Sequence, residues 1–275
     1  MNMMNMTTLL NTSGNLIAMT RAVSPAIARC ELTHLQRAPI DPERASAQHA
    51  DYVRALEALG CRVERVPAGS DLPDSVFIED AAIVLDEVAI ATRPGAESRR
   101  AEVPGVADAL RPHRPLLAME APGTMDGGDV MVVGRSIFIG ASSRTNLAGI
   151  EQVRQIVAPL GYALHPVSVD GCLHLKSAVT ALDDDTLLIN RDWARAGQFR
   201  GFAFIDVDAG EPSGANIVRV GRRLLYSAAF PRTRDRVTAR GFSVETVDVS
   251  ELAKAEGAVT CCSLIFKESH CLSAV

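Results

Sequence analysis

A chain of 275 residues with 47% hydrophobic and 22% charged side chains has an ordinary globular balance and is long enough to bury a sizeable core. Its formal net charge of −5, with no Lys/Arg-rich run, argues against a nucleic-acid binder. No apolar run approaches the ~18 residues of a membrane span, and residues 1–15 have neither the basic start nor the continuous apolar stretch of a secretory signal.

Residues 1–18 read as a flexible N-terminal extension. Residues 19–275 read as a single domain, since no Pro/Gly/Ser linker interrupts them. The first unit opens with the short apolar run Ala26–Arg29. A helical pattern follows from Pro42 to Leu59, with Ala45, Tyr52, Leu56 and Leu59 near a 3.6 period, then a stop at Gly60 and an alternating strand, Cys61–Val66. The second unit has strands at Val76–Ile78, Ile83–Leu85 and Val88–Ala91, a helix over Ser98–Leu110 and a strand at Pro115–Met119. The third has a hairpin, Val130–Val133 and Ile137–Gly140 about Gly134-Arg135, a helix over Leu147–Leu160 and a strand at Ala163–Val169. In the fourth, Ser177–Leu182 and Thr186–Asn190 flank three aspartates, the helix is poorly marked, and Phe202–Val207 is the strand. The fifth has Asn216–Val220, Leu224–Ala228, a helix over Arg232–Arg240 and a strand at Phe242–Val247. A last strand, Thr260–Phe266, remains to complete the first unit and close a ring. This order does not suit a (β/α)₈ barrel; it suits a cyclic array of five α/β modules.

Reactive residues keep arriving at one point of the repeat. Asp74–Asp80, Asp126–Asp129, Leu173–Lys176 and Thr260–Ser263 each open, or lead into, an apolar run, so closing the ring brings them together. Cys261 is a candidate nucleophile, although a small buried core residue is the commoner role for a free cysteine. Alternation on a strand sends Cys261 and Cys262 to opposite faces. His174 is either a general acid/base or a satisfied core histidine. Asp126 either orients that histidine or serves only the Asp-Gly turn. Asp74, Glu79 and Asp80, interleaved with Val76, Phe77 and Ile78, need partners if buried. A cationic guanidinium would pair with them bidentately; exposed strand-end charges are the alternative. Arg99 and Arg144 either clamp a carboxylate or are solvated. The six cysteines (Cys30, Cys61, Cys172, Cys261, Cys262, Cys271) show no Cys-x-x-Cys pair and read as reduced thiols of a cytoplasmic protein. A zinc site from Cys261, His174 and an acid is open, and zinc there would be expected to inhibit.

In combination, Pro73–Asp80, Thr124–Val130, Ser143–Asn146, Leu173–Ser177 and Thr260–Ser263 resemble the dimethylarginine dimethylaminohydrolase family, over about Ala26 to Phe266. The resemblance implies a five-bladed α/β propeller (pentein) and hydrolysis of Nω,Nω-dimethyl-L-arginine, and of the monomethyl compound, to L-citrulline through a covalent S-alkylthiouronium. It implies Cys261 as nucleophile, His174 as general acid/base and Asp126 as its orienting partner. Asp74, Glu79 and Asp80 become guanidinium- and substrate-binding acids, Arg99 and Arg144 the holders of the amino-acid end, and Leu32 and Ala255 further substrate contacts. No metal or organic cofactor is expected, the partner is a small-molecule substrate, and the protein is a monomer or homodimer. Arginine deiminases carry an acid two residues after the histidine, where this chain has Lys176; that favours an alkylated guanidine. The alternatives are an arginine deiminase or other guanidine hydrolase, and a non-catalytic cationic amino-acid binding protein.

Overall fold

The computed structural model describes residues 16–268. In chain order the elements are β1 (Leu16–Arg21), α1 (Pro42–Ala58), β2 (Cys61–Val66), β3 (Ala82–Val84), β4 (Ala89–Ala91), α2 (Val103–Leu110), β5 (Leu116–Ala118), β6 (Val130–Val133), β7 (Ser136–Ala141), α3 (Leu147–Val157) and β8 (Ala163–Ser168). They continue with α4 (Leu175–Ala178), β9 (Val179–Ala181), β10 (Thr186–Ile189), β11 (Ala203–Asp206), β12 (Ile217–Val220), β13 (Arg223–Ser227), α5 (Pro231–Thr238), β14 (Ser243–Val247), α6 (Ser250–Ala253) and β15 (Leu264–Lys267).

The strands form five three-stranded sheets: β3-β4-β5, β6-β7-β8, β9-β10-β11, β12-β13-β14 and β15-β1-β2. In each, the first strand runs antiparallel to the middle one, and the middle one parallel to the third. A parallel pair needs a crossover connection, which the chain supplies in four sheets with a helix; in the fourth module only a single 3-10 turn, Ala196–Gln198, does so. The first strands face the axis. Ile83, Met131, Thr180, Ile217 and Ile265, one from each sheet, line a shared axial cavity of about 300 Å³. The protein is thus a five-bladed α/β propeller.

Helix α1 shows how local chemistry anchors the ring. Asp41 caps it by accepting the Glu43 and Arg44 N–H groups at 3.0 and 3.1 Å, and Pro42 fills its first position. Gly60, at φ +99°, turns the chain into β2. The apolar stripe buries Tyr52 and Leu56 completely. The Tyr52 hydroxyl donates to Val259 O at 2.8 Å and meets the Ser263 hydroxyl at 2.7 Å, bracketing the cysteine segment between them.

Several sequence expectations are corrected. Ala26–Arg29 is not a strand; Ile27–Arg29 is a 3-10 turn, and the strand of that module is β1. Leu16–Ala18, assigned above to the extension, are therefore ring residues, while residues 1–15 lie outside the described ones. Val76–Ile78 is turn and 3-10 helix rather than strand (Ile78–Ala81). Ser98–Leu110 is not one continuous helix: a 3-10 stretch, Glu97–Glu102, leads into α2. Cys261 and Cys262 sit in a 3-10 turn, Thr260–Cys262, just before β15, so strand alternation does not govern where they point. Ring closure is as expected: β15 pairs antiparallel with β1, Leu16 opposite Lys267.

Candidate active site

Short turns entering the axial strands carry the reactive groups. Ile78–Ala81 leads into β3, Gly127–Asp129 into β6, α4 into β9 and Thr260–Cys262 into β15. The topology places these turns at the same step of successive modules, and this convergence makes the site. Two glycines let the turns close on each other. A Cβ on Gly128 would lie 2.6 Å from His174 Nδ1, and one on Gly127 would overlap the Glu79 carbonyl.

His174 is the residue before α4, in extended backbone (φ −135°, ψ 161°), and is buried. Its Nε2 is 3.1 Å from Asp126 Oδ2, and its Nδ1 is 4.0 Å from Asp80 Oδ1. Asp126 is wholly buried and its other oxygen accepts the Gly95 N–H at 2.9 Å, which fixes the carboxylate in place. Burial alone would lower the imidazole pKa; Asp80, Asp126 and Asp129 overcome it and raise it to about 9. Burial would likewise raise Asp80, but the His174 and Arg99 charges hold it below the usual carboxylate range.

Cys261 is half-buried and lines the same cavity as His174, with its sulfur taking the Ala258 N–H at 3.4 Å. Burial, then Glu79 and Asp80, push the thiol up to about 12. Cys262 is fully buried, its sulfur against Ala258 O, and belongs to the apolar core.

The three acids have different surroundings. Asp74 and Asp80 line the cavity of Cys261 and His174. Glu79 instead lines the axial cavity beyond it. One Glu79 oxygen accepts from Lys176 Nζ at 2.5 Å and the other from the Thr260 hydroxyl at 2.8 Å. Lys176 thus neutralises a buried acid. Arg99 is also occupied: it donates to Asp80 at 2.5 Å, to Glu102 at 2.8 and 3.2 Å, and to Asp74 O and Phe77 O. It lines the cavity as well, and its contacts position the acids there. Arg144 differs, for its Nη2 donates to the Thr33 hydroxyl at 2.9 Å while its Nη1 is buried with no partner among the described residues. Ala255 lines the cavity; Leu32 is absent from its lining and packs against the core beside it.

Glu256 was not expected. It takes φ +58°, and its carboxylate accepts three consecutive N–H groups, of Thr33, His34 and Leu35, at 2.5 to 3.0 Å. It clasps the 33–35 loop and itself lines the cavity of about 20 Å³, room for about one water. No residue-type pattern marks such a clasp, because its acceptors' partners are backbone groups 221 to 223 positions away. Asp80, Asp126 and His174 present ligand atoms within 4.8 Å of one another. Cys261 is not in that group, contrary to the cysteine-based zinc site considered from sequence.

Comparison with known proteins agrees with this architecture. Residues 34–182 match the family model described as N,N dimethylarginine dimethylhydrolase, eukaryotic. The chain is 42% identical to an N(G),N(G)-dimethylarginine dimethylaminohydrolase of Streptomyces coelicolor, over 92% of this chain and 98% of that one. A solved structure of the Pseudomonas aeruginosa enzyme, a cysteine-to-serine variant complexed with citrulline, superposes with a TM-score of 0.88 at 33% identity, over 92% of this chain and 99% of that one. A histidine-to-glycine variant of a dimethylarginine dimethylaminohydrolase, as its adduct with S-methyl-L-thiocitrulline, gives 0.87 at 33% identity, over 92% of this chain and 100% of that one. The cavity that joins cysteine, histidine and acids on a five-bladed ring is accordingly that of a relative of these enzymes, and the chain belongs to the dimethylarginine dimethylaminohydrolase family.

Proposed function

We propose that this protein hydrolyses Nω,Nω-dimethyl-L-arginine to L-citrulline and dimethylamine, with Nω-methyl-L-arginine as a second substrate. The observation that carries the reading is one small cavity lined by Cys261, His174, Asp74 and Asp80, with Asp126 bonded to His174 from behind. The Cys261 thiol, pushed up to about 12 by burial and by Glu79 and Asp80, is protonated at rest. A guanidinium entering beside those acids offsets their charge and lowers the thiol, which releases its proton to solvent, so the substrate's own cation activates its nucleophile.

The thiolate then bonds to the guanidinium carbon. His174, an imidazolium below its raised pKa, gives a proton to the departing dimethylamine as the C–N bond breaks, leaving an S-alkylthiouronium on Cys261. The neutral imidazole takes a proton from water, hydroxide adds to the same carbon, and the C–S bond breaks to give citrulline and return the proton to sulfur. Asp126 holds the ring in place, Arg144 receives the α-carboxylate, and the backbone near Ala255 and Leu32 contacts the amino-acid end. The cavity has room for about one water, so substrate entry needs its lining to move apart.

A product assay tests this reading. Incubation with asymmetric dimethylarginine should release citrulline and dimethylamine in equal amounts, faster than ammonia is released from arginine. Predominant ammonia release would make the protein a deiminase, and binding without turnover would make it a cationic amino-acid binding protein. The five described cysteines are all free thiols, which supports a cytoplasmic setting.

A further inference from the structure

Asp129 closes the Asp-Gly-Gly-Asp turn and is not needed as a chemical participant in the steps above, yet it is wholly buried. Its carboxylate has two arms. Oδ1 accepts the N–H of Leu175, the residue after His174, at 2.9 Å. Oδ2 accepts the hydroxyls of Ser142 at 2.5 Å and Thr145 at 2.6 Å, the residues that flank Arg144. These are the distances of charge-assisted bonds. Ser142 Oγ in turn accepts the Arg144 N–H at 3.0 Å, and Thr145 Oγ1 accepts the Asp126 N–H at 3.3 Å. Gly140 makes room for this hub, for a Cβ there would stand 2.7 Å from Asp129 Oδ1 and 2.9 Å from Leu175 Cβ.

We infer that Asp129 is a positioning residue that sets the distance between the two ends of the site, holding His174 through Leu175 and Arg144 through Ser142 and Thr145. It rests on the proposed reaction, in which the guanidine end meets His174 and the carboxylate end meets Arg144. A buried carboxylate with three donors has no freedom to drift, so a shift of either arm moves the other. That coupling is what a substrate gripped at both ends needs, because a misplacement of about 1 Å can cost about 10²-fold in rate.

The two arms can be cut separately. Asp129→Asn keeps the shape and an acceptor for Leu175 but replaces the charge and the Oδ2 acceptor. It should lower kcat about 10²-fold and raise KM for dimethylarginine. Ser142→Ala cuts only the Arg144 arm, and should raise KM about tenfold while kcat stays within about threefold, one charge-assisted bond being the scale of the change. Thermal melting fixes a temperature at which each variant is folded. If Asp129→Asn does not fold, Ser142→Ala decides by the same KM-against-kcat split. A purely structural Asp129 would lower the melting temperature and leave kcat and KM within about threefold of the native enzyme, and that result overturns the proposal.

Should the native protein give no citrulline, the proposed reaction fails, and imidazole NMR still decides the positioning role. His174 is faced by Asp80 from the 78–81 turn, by Asp126 and Asp129, by Cys172 from its own loop and by Cys261 across the cavity. Loss of the Asp129 charge should shift the His174 titration to lower pH. An unchanged His174 signal and titration in Asp129→Asn also overturns it.

Discussion

Arg144 offers the sharpest test of how the site reads its substrate. Its guanidinium is buried, Nη2 is held by Thr33 and Nη1 has no partner among the described residues. A charged donor left unpaired is a poor resting state, and a substrate carboxylate would relieve it. Hydrogen bonds to charged groups contribute about 1.5–3 kcal/mol, and 1.36 kcal/mol is tenfold in rate. Arg144→Ala should therefore lose roughly 10- to 150-fold in kcat/KM for dimethylarginine. The discriminating assay repeats the measurement with the decarboxylated analogue, in which the carboxylate is absent from both enzymes. There the native protein and the variant should agree within about threefold, inside the tenfold that 1.36 kcal/mol represents. Equal losses on both compounds would refute the argument, since Arg144 would then act by holding the 33–35 loop through Thr33 and not by receiving a carboxylate.

Three further outcomes follow from the geometry. Cys261→Ser should abolish turnover and remove any covalent adduct from the intact-mass spectrum, while Cys262→Ala, at a fully buried core sulfur, should affect stability and spare catalysis; matched losses with folding intact would sink the assignment. Iodoacetamide alkylation of Cys261 should rise about tenfold per pH unit through pH 9, because a thiol raised to about 12 is protonated throughout that range; a plateau reached by pH 8 would contradict it. Lys176→Met leaves Glu79 buried and unpaired, which should cost about 3–5 kcal/mol in denaturant unfolding. The double variant with Glu79→Gln should recover much of that loss, and strict additivity of the two would show that the pair is not coupled.

The repeat itself was legible because hairpins and helices differ in hydrophobic period. Val130–Val133, the Gly134 turn and β7 lie where alternation puts them, as does α1 with its Asp41-Pro42 start. Short apolar runs were the weak point. Val76–Ile78 and Thr260–Cys262 have the composition of strands, yet each is turn or 3-10 backbone, and composition does not report a turn of one helical step. β1 went unread because it adjoins the Asn- and Thr-rich start and has its antiparallel partner at the far end of the sequence. In the site, residue types were legible and their allegiances were not. Glu79, Asp80 and Asp74 look alike in sequence; only the fold brings Lys176, 97 positions away, to Glu79 and leaves the other two facing the cavity. Arg99 and Arg144 likewise separate only when Glu102 is seen to claim the first.

The joint between β1 and β15 has a consequence for how the molecule comes into being. The nucleophile lies immediately before β15, and β15 docks against the first described strand, with Met19 opposite Leu264. Contacts between such distant stretches of chain form late and slowly. While the polypeptide is still emerging, the acids, the histidine and Arg144 can gather on successive blades without Cys261 among them. Seating the final strand then closes the circle and arms the enzyme in one event, so an incompletely folded chain carries no misplaced reactive centre. Reactivity here doubles as a report that the whole ring has been made.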